Sequence, residues 1–228
     1  MEAKTNLLVI GGAGFIGYHI VLQALDAGYK VSIMNRSLPS VPDFFPETVT
    51  VYQNDAVLLP EEEMEEMFRQ QDILVYAIGA DDKYLPAIPA YTYYHLHNVQ
   101  TTAKICRIAK KAGIKKVIIL GSYFSYFNRI WPEMQLSAWH PYIRSRVEQE
   151  KIAVEYSSPD MEIVVLELPY IFGYTKGRIP LWKPLLDYIL SSFPLFYMQG
   201  GSNMVSVKVV ASAVLGAIKY RSRHGEVH

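Results

Sequence analysis

The sequence predicts an α/β protein built on a doubly wound parallel sheet, and three observations carry that expectation. Short all-apolar runs alternate with helix-length stretches over residues 1–168, the pattern of strands buried on both faces and joined by helical crossovers. A glycine-rich turn follows the first apolar run, the position at which such sheets pass tightly from strand to helix. Beyond Pro169 the alternation gives way to prolines and aromatics, among them Pro180, Trp182, Pro184, Phe193 and Pro194. That change divides the chain into a main domain, 1–168, and a small C-terminal substrate-binding segment, 169–228, packed on it and not an independent domain.

The elements follow in order. Leu7–Ile10 is the first strand, and Phe15–Ala27 a helix that Gly28 stops. Val31–Met34, Val49–Tyr52 and Ile73–Ile78 are the next three strands. Between the last two, Pro60–Gln70 forms a helix whose proline and acids suit a first turn. Tyr91–Ala112 reads as one long helix ending at Gly113. Lys116–Leu120 and Ile163–Leu168 are the fifth and sixth strands, with the helix Tyr142–Tyr156 between them, and Val205–Ala217 resumes a strand-to-helix pattern.

Composition narrows the functional classes. Twenty-two basic and 22 acidic side chains leave no net charge, which argues against a surface built for nucleic-acid phosphates or an anionic membrane. No apolar stretch reaches the roughly 18–20 residues of a spanning helix, and the N-terminal apolar run Leu7–Ile10 is too short for a signal-peptide core. The single cysteine, Cys106, excludes an internal disulfide and sits mid-helix as a structural residue. A soluble cytoplasmic protein is expected.

The strongest motif is Gly11-Gly12-Ala13-Gly14-Phe15-Ile16-Gly17, set between the first strand and the first helix. It satisfies G-x-G-x-x-G, in which glycine permits the tight turn, close backbone approach to a pyrophosphate, and close packing of helix on strand. The helix N-terminus then faces the anion. A nicotinamide dinucleotide is the expected cofactor. Asn35-Arg36-Ser37 closes the second strand without an acid. Arg36 offers a donor fork and Ser37 a hydroxyl for a 2′-phosphate, so NADP is preferred, with NAD possible. Asn54-Asp55 lies either at an adenine edge or in a plain turn.

These residues, together with Gly79 after the fourth strand, Asn98 in the long helix and Tyr142 beyond the fifth, resemble the short-chain dehydrogenase/reductase superfamily. The GGAGFIG form and Leu168-Pro169-Tyr170-Ile171-Phe172-Gly173 are most similar to its extended branch, the NAD(P)-dependent epimerase/dehydratase family, over about residues 5–228. The resemblance implies a Rossmann fold, cofactor contacts from Ile78, Gly79, Asn98, Pro169 and Ile171, and hydride transfer at a carbonyl or carbinol carbon of a small carbonyl compound or sugar nucleotide. It also implies a homodimer formed through the helices 91–112 and 142–156. Extended members continue past this length, which implies a short or missing C-terminal part of the substrate lobe.

The same resemblance assigns a catalytic set. Tyr142 is the acid/base, and Arg146 stands where the family has a lysine that favours the phenolate and bonds the nicotinamide ribose. Ser122 or Ser125 supplies the hydroxyl for the substrate oxygen, although simple alignment puts Tyr123 at that position. Tyr142 and Arg146, four apart, share one helix face. The lysine-to-arginine departure opens an alternative: a catalytically weak dinucleotide-binding sensor or scaffold. The substrate pocket is expected at the strand ends, lined from 79–90 and 170–196.

Other candidates read as structure. His95 and His97, two apart, do not share a helix face, and no H-E-x-x-H or C-x-x-C pattern is present, so no metal site is expected. Glu61–Glu66 and the lysines over 104–116 read as solvated faces. Tyr91, Tyr93 and Tyr94 read as packing in preference to a cleft wall, and His140 as a loop residue.

Overall fold

A computed structural model of the chain describes residues 5–81, 86–180, 182–196, 200–220 and 226–228. Residues 82–85 and 181 of the expected pocket lining lie outside the described residues. The chain runs β1 (Asn6–Ile10), α1 (Phe15–Asp26), β2 (Lys30–Met34), β3 (Thr50–Tyr52), α2 (Glu61–Phe68) and β4 (Ile73–Tyr76). It continues through α3 (Ala90–Tyr94), a π-helical segment (His95–Gln100), α4 (Thr101–Ala112), β5 (Lys116–Leu120), α5 (Tyr123–Ile130) and α6 (Leu136–Trp139). The remainder is α7 (Pro141–Glu155), β6 (Glu162–Leu166), β7 (Tyr170–Phe172), α8 (Lys183–Ile189), β8 (Met204–Ser206), α9 (Val207–Lys219) and β9 (Glu226–Val227).

Seven strands form one parallel sheet in the order β3-β2-β1-β4-β5-β6-β9. The winding reverses between β1 and β4, which leaves a crevice at the carboxyl ends of those two strands. Strand residues alternate between two cores. Leu8, Ile10, Leu74, Tyr76, Val117 and Ile119 face one side, with Met64, Phe68, Ile105 and Ile108 of α2 and α4. Leu7, Val9, Ile33, Val75, Ile118 and Leu120 face the other, with Ile20, Val21 and Ala24 of α1 and Ala211 and Val214 of α9. Apolar burial on both faces explains why the strands read as unbroken apolar runs.

The C-terminal stretch divides. β7 and β8 pair in a separate two-stranded parallel sheet, while α9 packs beside α1 and β9 extends the main sheet next to β6. Three features escape the sequence pattern. The long helix is interrupted by its π-helical segment, which carries Asn98 into full burial. The stretch after β5 becomes α5, its N-terminus capped by Ser122 Oγ accepting from Phe124 N–H at 3.4 Å. The expected solvated faces are also partly wrong. Glu65 is buried and paired at 2.6 Å with Arg69 and with Lys111. No helix among the described residues is long and apolar enough to cross a membrane.

Lys116 is the clearest correction to the solvated reading. Its side chain is only 10% exposed, and Nζ donates to the carbonyls of Ala217, Ile218 and Tyr220 at 3.0, 3.2 and 2.8 Å while pairing with Glu162 at 3.1 Å. One ammonium thus caps the C-terminus of α9 and neutralises a carboxylate at the base of the sheet. Lys116→Met leaves those acceptors buried and unpaired, so urea unfolding should report a loss of about 3 kcal/mol. An unchanged midpoint would exclude this pinning role.

Candidate functional site

Two cavities open at the strand ends and share the lining residues Ala77, Ile78, Gly79 and Ala80, which follow β4. The larger holds about 800 Å³ and runs from the start of α1 to the aromatic segment beyond β6. The smaller, about 200 Å³, lies on the β2–β3 side. Together they form one crevice across the winding reversal.

The glycine turn sits where they meet. Gly11 adopts φ +90°, and a Cβ there would approach the Ile78 side chain to 2.5 Å; a Cβ on Gly17 would lie 2.2 Å from the Gly11 carbonyl oxygen. Only glycine allows strand and helix to meet this closely. Gly14 N–H closes the turn on the Gly11 carbonyl, and Ala13 N–H donates to Asn35 Oδ1, both at 2.8 Å. Asn35, expected as a cofactor contact, therefore holds the turn itself. No side chain caps α1. Its first-turn amides, including those of Phe15 and Ile16, are left for an anion from outside, and the turn fits a dinucleotide diphosphate on that ground.

The smaller cavity gathers Asn35, Arg36, Asn54, Asp55, Tyr93 and His97. Asp55 forms the plain turn of one reading, with Oδ1 accepting from Val57 N–H at 2.8 Å, and its Oδ2 lies 4.0 Å from Arg36 Nε on the cavity wall. The Arg36 side chain is 78% exposed. Ser37 is exposed and lines neither cavity. Tyr93, read as packing, and His97, read as no metal ligand, meet on this wall with ring centroids 4.5 Å apart and planes tilted by 58°. Their i, i+4 spacing was the available signal. Burial, reinforced by the Arg36 charge, holds the His97 imidazole below its ordinary pKa. Lys104 Nζ donates to the carbonyls of Ala56, Val57 and Leu59 at 3.3, 3.1 and 2.6 Å, fixing the loop that presents Asp55.

The larger cavity brings together Ser122, Tyr123, Tyr142, Arg146, Pro169 and Ile171. Tyr142 and Arg146 project from α7 and are buried, at 8% and 7% exposure. The phenol ring packs against Tyr94 and Phe124 at centroid distances of 5.6 and 6.3 Å. Arg146 Nη2 donates to the Leu120 carbonyl at 2.6 Å, while its buried Nε has no protein acceptor among the described residues. Gly79 makes room for this guanidinium, since a Cβ there would stand 3.0 Å from Nη1. A phenol and a permanent cation thus face one crevice from successive helical turns.

Asn98 and Ser125, both expected site residues, do not line the crevice either. Asn98 is fully buried: Oδ1 accepts from Ala80 N–H at 2.8 Å, and Nδ2 donates to the Ala80 carbonyl and to Ser145 Oγ at 3.1 and 3.0 Å. Ser145 Oγ in turn donates to the Tyr142 carbonyl at 2.7 Å. Asn98 therefore braces the β4 exit loop against the Tyr142 turn of α7. Ser125 is buried outside the lining, beside the Glu150 carboxyl on the far side of α5. Arg129 there bonds Glu150 at 3.2 Å and Glu167 at 2.8 Å. Burial, then the neighbouring Glu167 charge, pushes the Glu150 carboxyl up to about 7. Cys106 is buried in the core, and desolvation pushes its thiol up to about 12, an inert structural residue.

Comparison with known proteins adds a family to this geometry. The model of the NAD dependent epimerase/dehydratase family matches residues 7–182. UDP-glucose 4-epimerase of Bacillus subtilis is 30% identical over 190 residues, covering 76% of this chain and 55% of that protein. The decarboxylating sterol-4-alpha-carboxylate 3-dehydrogenase of Dictyostelium discoideum is 20% identical over 224 residues, covering 92% of this chain and 66% of its own. The chain thus spans little more than half the length of the first of these relatives. Among solved structures, UDP-N-acetylglucosamine 4-epimerase from Methanobrevibacter ruminantium M1, in complex with UDP-N-acetylmuramic acid, superposes with a TM-score of 0.75. It is 22% identical, and the match covers 96% of this chain and 74% of that one. MoeE5 in complex with UDP-glucuronic acid and NAD gives a TM-score of 0.72 at 18% identity, covering 96% and 74%. Both likenesses are of fold.

The Glu150 carboxyl generates a pH test. Its folded pKa lies above the ordinary carboxylate value of 4.5, so the fold holds a proton that the unfolded chain releases. That contribution to stability is complete below about pH 4.5 and is lost as pH rises through about 7. Glu150→Gln should flatten the fall in Tm between these values, with its largest gain over the parent above pH 7. Parallel Tm–pH curves for the two proteins would rule this out.

Proposed function

Because this chain belongs to the NAD dependent epimerase/dehydratase family, we propose that it binds a nicotinamide dinucleotide along the crevice and acts on a sugar nucleotide in the larger cavity. The reaction class is hydride transfer at a carbonyl or carbinol carbon, the opening step of an epimerisation or dehydration. The observation that carries this reading is the continuity of one crevice. It has an uncapped glycine turn at its middle and the Tyr142–Arg146 pair on its wall. The dinucleotide, when bound, supplies the hydride acceptor or donor.

The residues of the chain do the rest. Tyr142 holds or takes the proton at its phenolic oxygen as the substrate oxygen gains or loses charge. Arg146 favours the phenolate as a nearby cation. Its Nη2 anchor on Leu120 fixes the guanidinium on the cavity wall, where its remaining donors face a ribose or substrate oxygen. Ser122 caps α5 at 3.4 Å, a long bond that leaves the hydroxyl able to donate to the substrate oxygen. Tyr170 and Trp182, edge to face at 6.0 Å, give the cavity aromatic faces suited to a nucleotide base or sugar. The sugar-nucleotide assignment draws on the ligands of the structural neighbours.

Arg36, exposed and only 4.0 Å from Asp55 at its nearest, keeps a fork available for a 2′-phosphate, which supports NADP as the preferred form. The NAD held by MoeE5 makes the unphosphorylated coenzyme the competing form. One observation favours a second reading, a dinucleotide-binding sensor with little turnover. Arg146 spends a donor on a main-chain carbonyl at the place where the family's lysine serves the ribose.

Turnover and binding separate these readings. With a panel of UDP-sugars, Tyr142→Phe should lower kcat about 100-fold or more while the dinucleotide Kd stays unchanged. Unaltered turnover in that variant removes Tyr142 from the chemistry, and tight binding by the parent without turnover on any substrate favours the sensor. Arg36→Ala should weaken NADPH by about tenfold and leave NADH within roughly twofold in calorimetric titration. Equal losses for both coenzymes would overturn the 2′-phosphate assignment.

A further inference from the structure

The segment after β7 is strapped across the glycine turn. His19 Nε2 meets the Tyr174 carbonyl at 2.8 Å, and Thr175 Oγ1 donates to the Phe15 carbonyl at 3.1 Å. Lys176 Nζ donates to the carbonyls of Pro42 and Asp43 at 2.8 and 3.0 Å. Gly177 takes φ +74° and lies so close to Val41 that a Cβ would meet its side chain at 2.4 Å. Arg178 Nη2 then donates to the Ala13 carbonyl at 2.9 Å, inside the glycine turn itself. Five consecutive residues, 174–178, are thus held against α1, the loop after β2 and the turn.

Arg178 is the member of this strap with donors to spare. It lines the larger cavity together with Phe15 and Ile16, the uncapped first turn of α1. One of its five N–H groups is used on Ala13, and no carboxylate among the described residues pairs with it. A guanidinium held against the turn by a main-chain carbonyl is ordered in advance, so little side-chain entropy remains to be lost when it meets an anion. Its full positive charge adds to the partial positive charge of the helix amides at the same opening.

We propose that Arg178 is a binding residue for the diphosphate of the dinucleotide, reaching it from the C-terminal segment while the glycine turn holds it from below. This rests on the dinucleotide reading above and goes beyond it by naming a charged ligand outside the glycine motif. The anchor on Ala13 favours the coenzyme's diphosphate over that of a nucleotide-sugar substrate, which shares the chemistry. It also makes coenzyme binding dependent on residues 174–178, so the strap joins cofactor retention to the substrate segment.

Calorimetric Kd values for NAD, NADP and UDP, with adenosine binding followed by NMR, test this on the full chain. Arg178→Gln keeps an N–H for the Ala13 carbonyl and removes the charge. Arg178→Lys keeps the charge and removes the fork. The Gln variant should bind both dinucleotides about 10- to 100-fold more weakly, as expected for loss of a hydrogen bond to a charged group. The Lys variant should recover part of that loss, adenosine affinity should be unchanged, and the salt dependence of dinucleotide binding should be shallower in Arg178→Gln. Dinucleotide binding equal to the parent overturns the proposal, as does an equal loss for adenosine, which would mark a purely structural residue. Loss confined to UDP overturns the assignment to the coenzyme. A parent chain that binds no dinucleotide while binding UDP is a different failure, that of the functional reading itself.

Discussion

A helix start pressed onto a strand end is the contact around which the rest of the molecule is arranged. Gly17 lies against the Gly11 carbonyl, and Gly11 in turn against Ile78 at the exit of β4. Side chains at these positions would separate α1 from β1 and close the crevice at the winding reversal. With glycine there, the first-turn amides of α1 stand uncapped at the point where the two cavities meet. An anion at this point satisfies those first-turn amides and meets the positive end of the helix dipole.

The crevice walls are fixed from behind. Asn98 ties the β4 exit loop to Ser145 and through it to the Tyr142 turn of α7. Lys104 does the same for the loop carrying Asp55, and Arg129 links α5, α7 and the end of β6 through two carboxylates. Each brace uses a polar group that the sequence places on a helix with no visible partner. Their combined effect is preorganisation: wall residues such as Tyr142, Arg146 and Asp55 are positioned by contacts that no ligand has to form. The π-helical segment belongs to the same system, because it delivers Asn98 to the interior and His97 to the smaller cavity, beside Tyr93 of α3.

The fold was legible in the sequence because burial on both faces leaves a direct record, short apolar runs punctuated by a glycine turn. Leu7–Ile10, Val31–Met34 and Lys116–Leu120 could be read as strands without any partner in view. The glycine turn and the Tyr142–Arg146 spacing were legible for the same reason, since both depend on geometry local to a few residues. What escaped was set by distant contacts. Nothing near Lys116 or Lys104 indicates that carbonyls up to about a hundred positions away accept from them, and nothing near Asn35 indicates that it serves Ala13.

The sequence by itself determined a doubly wound sheet, a glycine turn built for close backbone approach, and a tyrosine with a cation one helical turn beyond it. Tertiary structure alone decided that Ser122 and not Ser125 lines the cavity, and that Asn98 braces the wall without touching the opening. It also decided that Arg178 stands over the turn. The physical reason is range. Backbone periodicity and steric allowance are properties of neighbours in the chain, whereas the partner of a polar side chain is whichever buried group the packing of separate elements brings within about 3 Å.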